Sequence, residues 1–337
     1  MGTVTKTIGT TGRDYSTVQA WEDALPANLV TDGNSQVGQC FNDSEFTSAS
    51  TVVTISGETT DATHTITLTT GTGQSFRDNV NAQTNVLKYN ASNGVGIRFT
   101  GNIGRTIIVG AQYVTLDGLQ IGANNGCVSL NAANTMIKNC ILEGGQAATG
   151  GYGASTLLLT SGSPSVLNTL VITRQPGFDG ISVNNGVTPL FVNVTSVKPS
   201  DLTADKTAFR IDYGGATLKN CAGFGFNAFS SGSESGSNNC SDKAISFGTS
   251  NQASKTYANQ FQNTADATRD FRLKTGADCV DNGVTDTTDI PSADDIVKTS
   301  RPQGSAWDIG AWELVQTVAA PQKRYPFAST TGFRLGI

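Results

Sequence analysis

Charge is scarce in this chain: Asp, Glu, Lys and Arg make up 15% of its 337 residues, against about a quarter of an ordinary globular domain. The balance of −5 argues against non-specific binding to nucleic acid or to an anionic membrane. One histidine, His64, excludes zinc centres built on several imidazoles. No apolar run approaches the ~20 residues of a membrane-spanning helix. The opening MGTVTKTIGTTGRDYS lacks the apolar stretch of a secretory signal. We therefore expect synthesis in the cytoplasm, six cysteines as free thiols, and no use of the sequons at Asn42, Asn90, Asn193 and Asn239.

What is present is a repeat. Between residues 110 and 245 the phrases VTLDGLQI, MIKNCILE, SVLNTLVI, LFVNVTSV, ATLKNCAG and SNNCS place a polar pivot at Asp117, Asn139, Asn168, Asn193, Asn220 and Asn239, spaced by 22, 29, 25, 27 and 19 residues. A period of this size marks a solenoid. The phrases are short, rich in Val, Ile, Leu and Thr, and bounded by Gly, Asn or Ser, which reads as strands. A second column of strands precedes most pivots: CVSL at 127–130, TLLL at 156–159, GISV at 180–183 and AFRI at 208–211. Coils with two or three parallel strands predict an all-β, right-handed parallel β-helix of roughly eight to ten coils, a rod on the order of 40 Å long at the usual strand spacing. Each pivot is expected to hold a turn, because Asn tolerates left-handed backbone and bonds neighbouring amides. Cys140, Cys221 and Cys240 follow their pivots and are expected to stack as small fillers, with Cys221 and Cys240 on adjacent coils.

A solenoid must cover its ends. DYSTVQAWEDAL at 14–25 predicts a helix behind Ser16 with Val18, Trp21, Ala24 and Leu25 on its buried face and Glu22 and Asp23 opposite. The expected organisation is an N-terminal cap with first coils over 1–84, regular coils over 85–250, last coils and a C-terminal cap over 251–314, and an extended arm over 315–337. That arm holds Lys323, Arg324, Tyr325, Phe327, Phe333 and Arg334 and no acidic residue. It contributes +3, which leaves the rest of the chain at −8.

Chemistry is harder to find. Asp179 and Asp212 are the best acids on the coils, but Arg210 lies two residues before Asp212 on the same side of a strand, where an outward ion pair is expected. Asp281, Asp286 and Asp289 are hard ligands suited to calcium, without EF-hand spacing, and a solvated loop is the favoured reading. His64 sits in HTITLTT as an expected surface residue. The glycines at 144, 145, 150, 151 and 153 form an insertion that lacks the ending of a phosphate loop. No catalytic set, metal site or cofactor is expected.

The opening resembles pectate-lyase-like and pectin-methylesterase-like β-helices through Gly12, Tyr15, Thr17, Val18, Gln19 and Ala20. DFRLKTGADCVDNG at 270–283 and SAWDIGAWEL at 305–314 resemble the closing motifs of bacterial and phage β-helix proteins. Hydrolases, lyases and esterases of that superfamily carry carboxylate motifs that the repeat region lacks, and GFDGIS at 177–182 matches the esterase motif only superficially. The stretch TVTKTIGTTGRDYSTVQAWEDALPANLV resembles β-helix proteins of tailed-phage structural gene clusters. That resemblance implies a virion protein, foremost a capsid decoration or cement protein that binds the major capsid protein as a homotrimer through rod and arm. The alternative is a spike that binds or cleaves host polysaccharide. Trp21, Trp307 and Trp312 all fall near the ends, whereas sugar platforms are expected along the coils.

Overall fold

The structure, a computed structural model, describes residues 2–145, 155–290 and 293–316. Among them two parallel sheets run the length of a rod, the larger one bending into two faces, sheets I and II, joined by two long strands. Sheet I stacks Val53–Ile55, Arg105–Val109, Gly126–Leu130, Ser155–Leu159, Asp179–Val183 and the first halves of Thr207–Lys219 and Ala228–Ser237. Sheet II stacks Gly2–Ile8, Asn34–Cys40, Ile66–Thr70, Val114–Asp117, Met136–Lys138, Ser165–Leu167, Leu190–Val192 and the second halves of those two long strands. Sheet III stacks Phe46–Ser48, Gly96–Phe99, Gln120–Ala123, Ile141–Gly144, Leu170–Thr173, Thr195–Val197, Ala222–Phe224 and Cys240–Ser241. Each regular coil contributes one strand to each sheet, so the molecule is a parallel β-helix with three strands per turn.

Strand alternation fills the interior. In sheet I, Ile107, Val128, Leu157, Ile181 and Phe209 are in register on successive coils and fully buried. Lower down the filling becomes aromatic, with Phe191, Phe209 and Phe229 at centroid distances of 5.5 and 5.3 Å. Such pairs add to the area they bury.

The turn between sheets II and III is the pivot, with two corrections to the column. Asn139, Asn168, Asn193 and Asn220 take left-handed backbone, at φ 57, 44, 54 and 53°. In the coil above, Asp117 pairs with Lys138, and Gly118, at φ 71°, holds the left-handed position instead. At the lower end that position belongs to Asn238 (φ 54°), and Asn239 is shifted one place, fully buried. Side chains link the levels: Asn139 Nδ2 donates to Asp117 Oδ1 (2.8 Å), Asn168 to Asn139 (3.4 Å), Asn193 to Asn168 (3.1 Å) and Asn220 to Asn193 (3.0 Å). Asn239 Oδ1 instead accepts from the Cys221 amide (2.9 Å).

The same shift moves Cys240. Cys140 and Cys221 lie in the interior cluster, whereas Cys240 faces outward from sheet III and its thiol meets Cys279, not Cys221. All six thiols are free and buried. Burial pushes Cys40 and Cys127 far up, and Cys140 and Cys221 to about 12, so these sulfurs behave as inert filling.

Residues 251–314 do not continue the stack as expected. Among the described residues, only Thr249 and Gln252 form β-bridges to the last coil, at Ser237 and Cys240. From Tyr257 the chain turns back and lies lengthwise on the outer face of sheet III as a strap. The reason is apolar surface. Ile141, Leu170, Ile172, Val197, Ala222 and Phe224 face away from the interior, and the strap covers them with Phe261, Phe271, Leu273, Ile296, Ile309 and Trp312. Phe224 anchors it against Tyr257 and Phe261 at 5.4 and 5.5 Å. The strap also reads the pivot column: Asn168 Nδ2 donates to Asp294 O (2.7 Å), Asn220 Nδ2 to Val284 O (2.7 Å) and Asn238 Nδ2 to Asn282 O (2.9 Å). It reaches the early insertion at 71–95, where Arg77 donates to the carbonyls of Asp295 and Ile296 (3.0 and 2.8 Å) and Leu87 N to Asp270 (3.1 Å).

The helix expected over 14–25 is shorter, Val18–Glu22, and Thr17 rather than Ser16 caps it by accepting from Ala20 N. Trp21 is buried, whereas Ala24 is exposed and Glu22, expected outside, is buried. Gln19 Oε1 accepts from Thr54 N (3.0 Å) and Glu22 Oε1 from Ser56 N (3.1 Å). Both donors sit at the edge strand that opens sheet I.

Candidate functional site

The densest charged cluster on the coils lies where sheet III hands over to sheet I, between 177 and 212. Arg210 projects outward from its strand and clasps Asp212 through Nε and Nη2 (3.0 and 2.7 Å), while Nη1 lies 3.5 Å from Asp179 Oδ2. Asp179 is buried and also accepts from Thr207 N (2.9 Å). Burial raises its pKa, against the pull of the Thr207 amide and Arg210. Two residues that sequence reasoning missed complete the cluster. Lys198, fully buried directly after Val197, forms an ion pair with Asp205. A lysine ending the apolar strand TSV was the available signal.

The acids at 281–290 are not a solvated loop. Asp286 and Asp289 hold Lys219 Nζ at 2.8 and 2.9 Å, Gly283 N donates to Trp307 O (2.7 Å), and Val284 N donates to Asn220 Oδ1 (2.8 Å). Asp281 accepts from Ala306 N (3.1 Å) and Gln316 (2.7 Å). Asp286 and Asp289 therefore fasten the strap to the coils while Asp281 braces the strap on itself, and the three carboxylates do not converge on one point. Among the described residues no group of three acidic, Cys or His side chains is placed to hold a metal ion.

Two further networks were not foreseen. Glu143, on the outer face of sheet III, meets Arg269 at 2.5 Å and Arg174 at 3.5 Å, and Arg174 meets Asp266 at 2.6 Å. Beneath the strap's end, Arg301 pairs with Glu313 at 3.1 Å, both buried, and donates to Asp308 O and Gly310 O (both 2.8 Å). Burial and the neighbouring Glu313 push Asp308 up to about 7. The closing motif DIGAWE owes its acids to this buried arginine.

His64 lies ahead of its strand, with Nδ1 2.9 Å from Asp61. A groove of about 450 Å³ opens beside Phe46–Ser48, between the start of the helix and the edge strand of sheet III, lined mainly by Ser and Thr with Gln19, Glu45 and Phe46. Trp21, Trp307 and Trp312 are all buried, which makes them core groups. Tyr213 is 92% exposed at a left-handed corner between sheets I and II. The arm residues Lys323, Arg324, Tyr325, Phe327, Phe333 and Arg334, and most of the glycine-rich insertion, lie outside the described residues.

No protein-family model matches the chain, and no curated protein does. Among solved structures, that of pectate lyase Pel9A is similar, with 12% identity and a TM-score of 0.49, over 92% of this chain and 97% of that one.

Proposed function

We propose that this chain is a structural protein of a tailed-bacteriophage particle, a capsid decoration or cement protein that docks as a homotrimer on the major capsid protein. The strap carries the reading. Its end is tied to the flank of the rod where Ala311 N donates to Thr195 Oγ1 (2.9 Å) and Gly310 N to Asn220 O (2.8 Å), and is braced within the strap by Arg301–Glu313 and by Gln316 on Asp281, so the basic, aromatic stretch that follows starts from a fixed root. An arm anchored in this way transmits load between a shell and a rigid rod. The helix Val18–Glu22 serves as a cap, because Gln19 and Glu22 occupy backbone donors that would otherwise template another strand. The coil carboxylates Asp179 and Asp212 are committed to Arg210, which fits a structural role better than acid–base work.

The test is co-sedimentation with particles lacking the protein, comparing the full chain with one ending at Gln316. Saturable binding by the full chain alone is expected. Equal binding by both forms would refute the arm's role. Absence of binding by either would favour a second reading, a polysaccharide-binding or polysaccharide-cleaving spike, for which exposed Tyr213 offers a stacking surface and depolymerisation of host surface glycan is the assay.

A further inference from the structure

Where the chain leaves sheet III, a buried amine, a carboxyl whose side chain is 27% exposed and a backbone N–H meet at one corner. The Lys198 side chain is 0% exposed. Its Nζ lies 5.2 Å from the centre of the Phe226 ring, donates to Phe178 O (3.3 Å), and donates to Asp205 Oδ1. The other oxygen of that carboxyl, Oδ2, accepts from Gly177 N. Phe178 and Phe226 are themselves buried. A primary amine, a carboxyl carbon beside it and an N–H on the far oxygen are the components of an amide-forming site.

We propose that Lys198 and Asp205 condense to an intramolecular isopeptide bond. Lys198 Nζ attacks Asp205 Cγ, the Nζ–Cγ bond forms and the Cγ–Oδ1 bond breaks. Negative charge on the tetrahedral intermediate gathers on Oδ2, where the Gly177 amide already points. The two protons that the attacking nitrogen sheds leave with Oδ1 as water. An ammonium and a carboxylate thus become one amide and one water, and no oxidant or cofactor is consumed. Desolvation of the amine favours this course, since burial depresses the lysine pKa. A lasting ion pair would keep a charge in a wholly buried position. The product closes 198–205 into a covalent ring at a coil corner.

Intact mass of the folded full-length protein is the first measurement, and one water less than the sequence mass is expected. Trypsin should release 175–206 as a single peptide lighter by that water, because Lys198 precedes Pro199. A second cut before Asp201 should leave the two pieces joined. Lys198→Arg keeps the charge but cannot form the bond, and Asp205→Ala lacks the carboxyl; both should restore the full sequence mass. A full-mass protein after prolonged incubation overturns the proposal. So does a lost water that hydroxylamine discharges, which would place it in an Asp–Gly succinimide. Should the variants fail to fold, the native mass and peptide map decide alone.

Discussion

Asn193 is held at φ 54° with its side chain fully buried, donating to Asn168 and accepting from Asn220. Its replacement by Ala leaves the buried Asn168 Oδ1 without its donor and Asn220 Nδ2 with Val284 O alone, at about 1–3 kcal/mol, and gives up the tolerance of Asn for left-handed backbone at about 1–2 kcal/mol. We predict that Asn193→Ala lowers the unfolding free energy in urea by about 3 kcal/mol, and that Asn193→Gly, free of the backbone penalty, recovers part of it. Glu22 makes an opposite case. Burial and the nearby Glu58 carboxyl raise it to about 7. A carboxyl whose pKa rises on folding supports the native state fully below its unfolded value, near 4.3, and that support is lost as pH climbs through the folded value. Glu22→Gln should therefore melt higher than the native protein at pH 8 and show a flatter dependence between pH 5 and 8, as thermal melts at the two pH values would record.

The pivot column was legible because Asn recurs where a two-residue corner demands left-handed backbone. Its ends were misread by one place because Asp117–Gly118 and Asn238–Asn239 each offer two plausible turn residues, and only the pairing of the flanking strands decides between them.

At the scale of elements, the strap is where reading the chain fell short. It has no repeat, and its acids resemble a solvated loop. A signal did exist in sheet III, whose strands ILEG, LVIT and TSV are buried on both faces, the pattern of strands covered from two sides. A one-sided rod has no use for Ile141, Ile172 and Phe224 pointing outward. The strap's hold depends on Arg301, which balances Glu313 in a site closed to water. We predict that Arg301→Met, by stranding that carboxylate, costs about 3–5 kcal/mol, measurable as an earlier midpoint in guanidinium. Deleting 257–337 uncovers the apolar face of sheet III. The shortened chain should self-associate in light scattering, and a monomer as stable as the full chain would disprove the covering role of the strap.

On the scale of the whole molecule, stacked-coil proteins ordinarily behave as chains of neighbours, each coil supported by the next, so that the ends fray while the middle holds. Here Arg77 and Leu87, from the insertion in an early coil, are bonded to Asp295, Ile296 and Asp270, residues that follow the last coil. The top of the rod is thus tied to chain made after the bottom. Two things follow. Unravelling from one end must release the other, so calorimetry should give one sharp transition with matching calorimetric and van't Hoff enthalpies. During synthesis, the outer face of sheet III waits uncovered until residues 257–314 have emerged, so a ribosome that stalls before them leaves a sticky half-product rather than a shorter working rod.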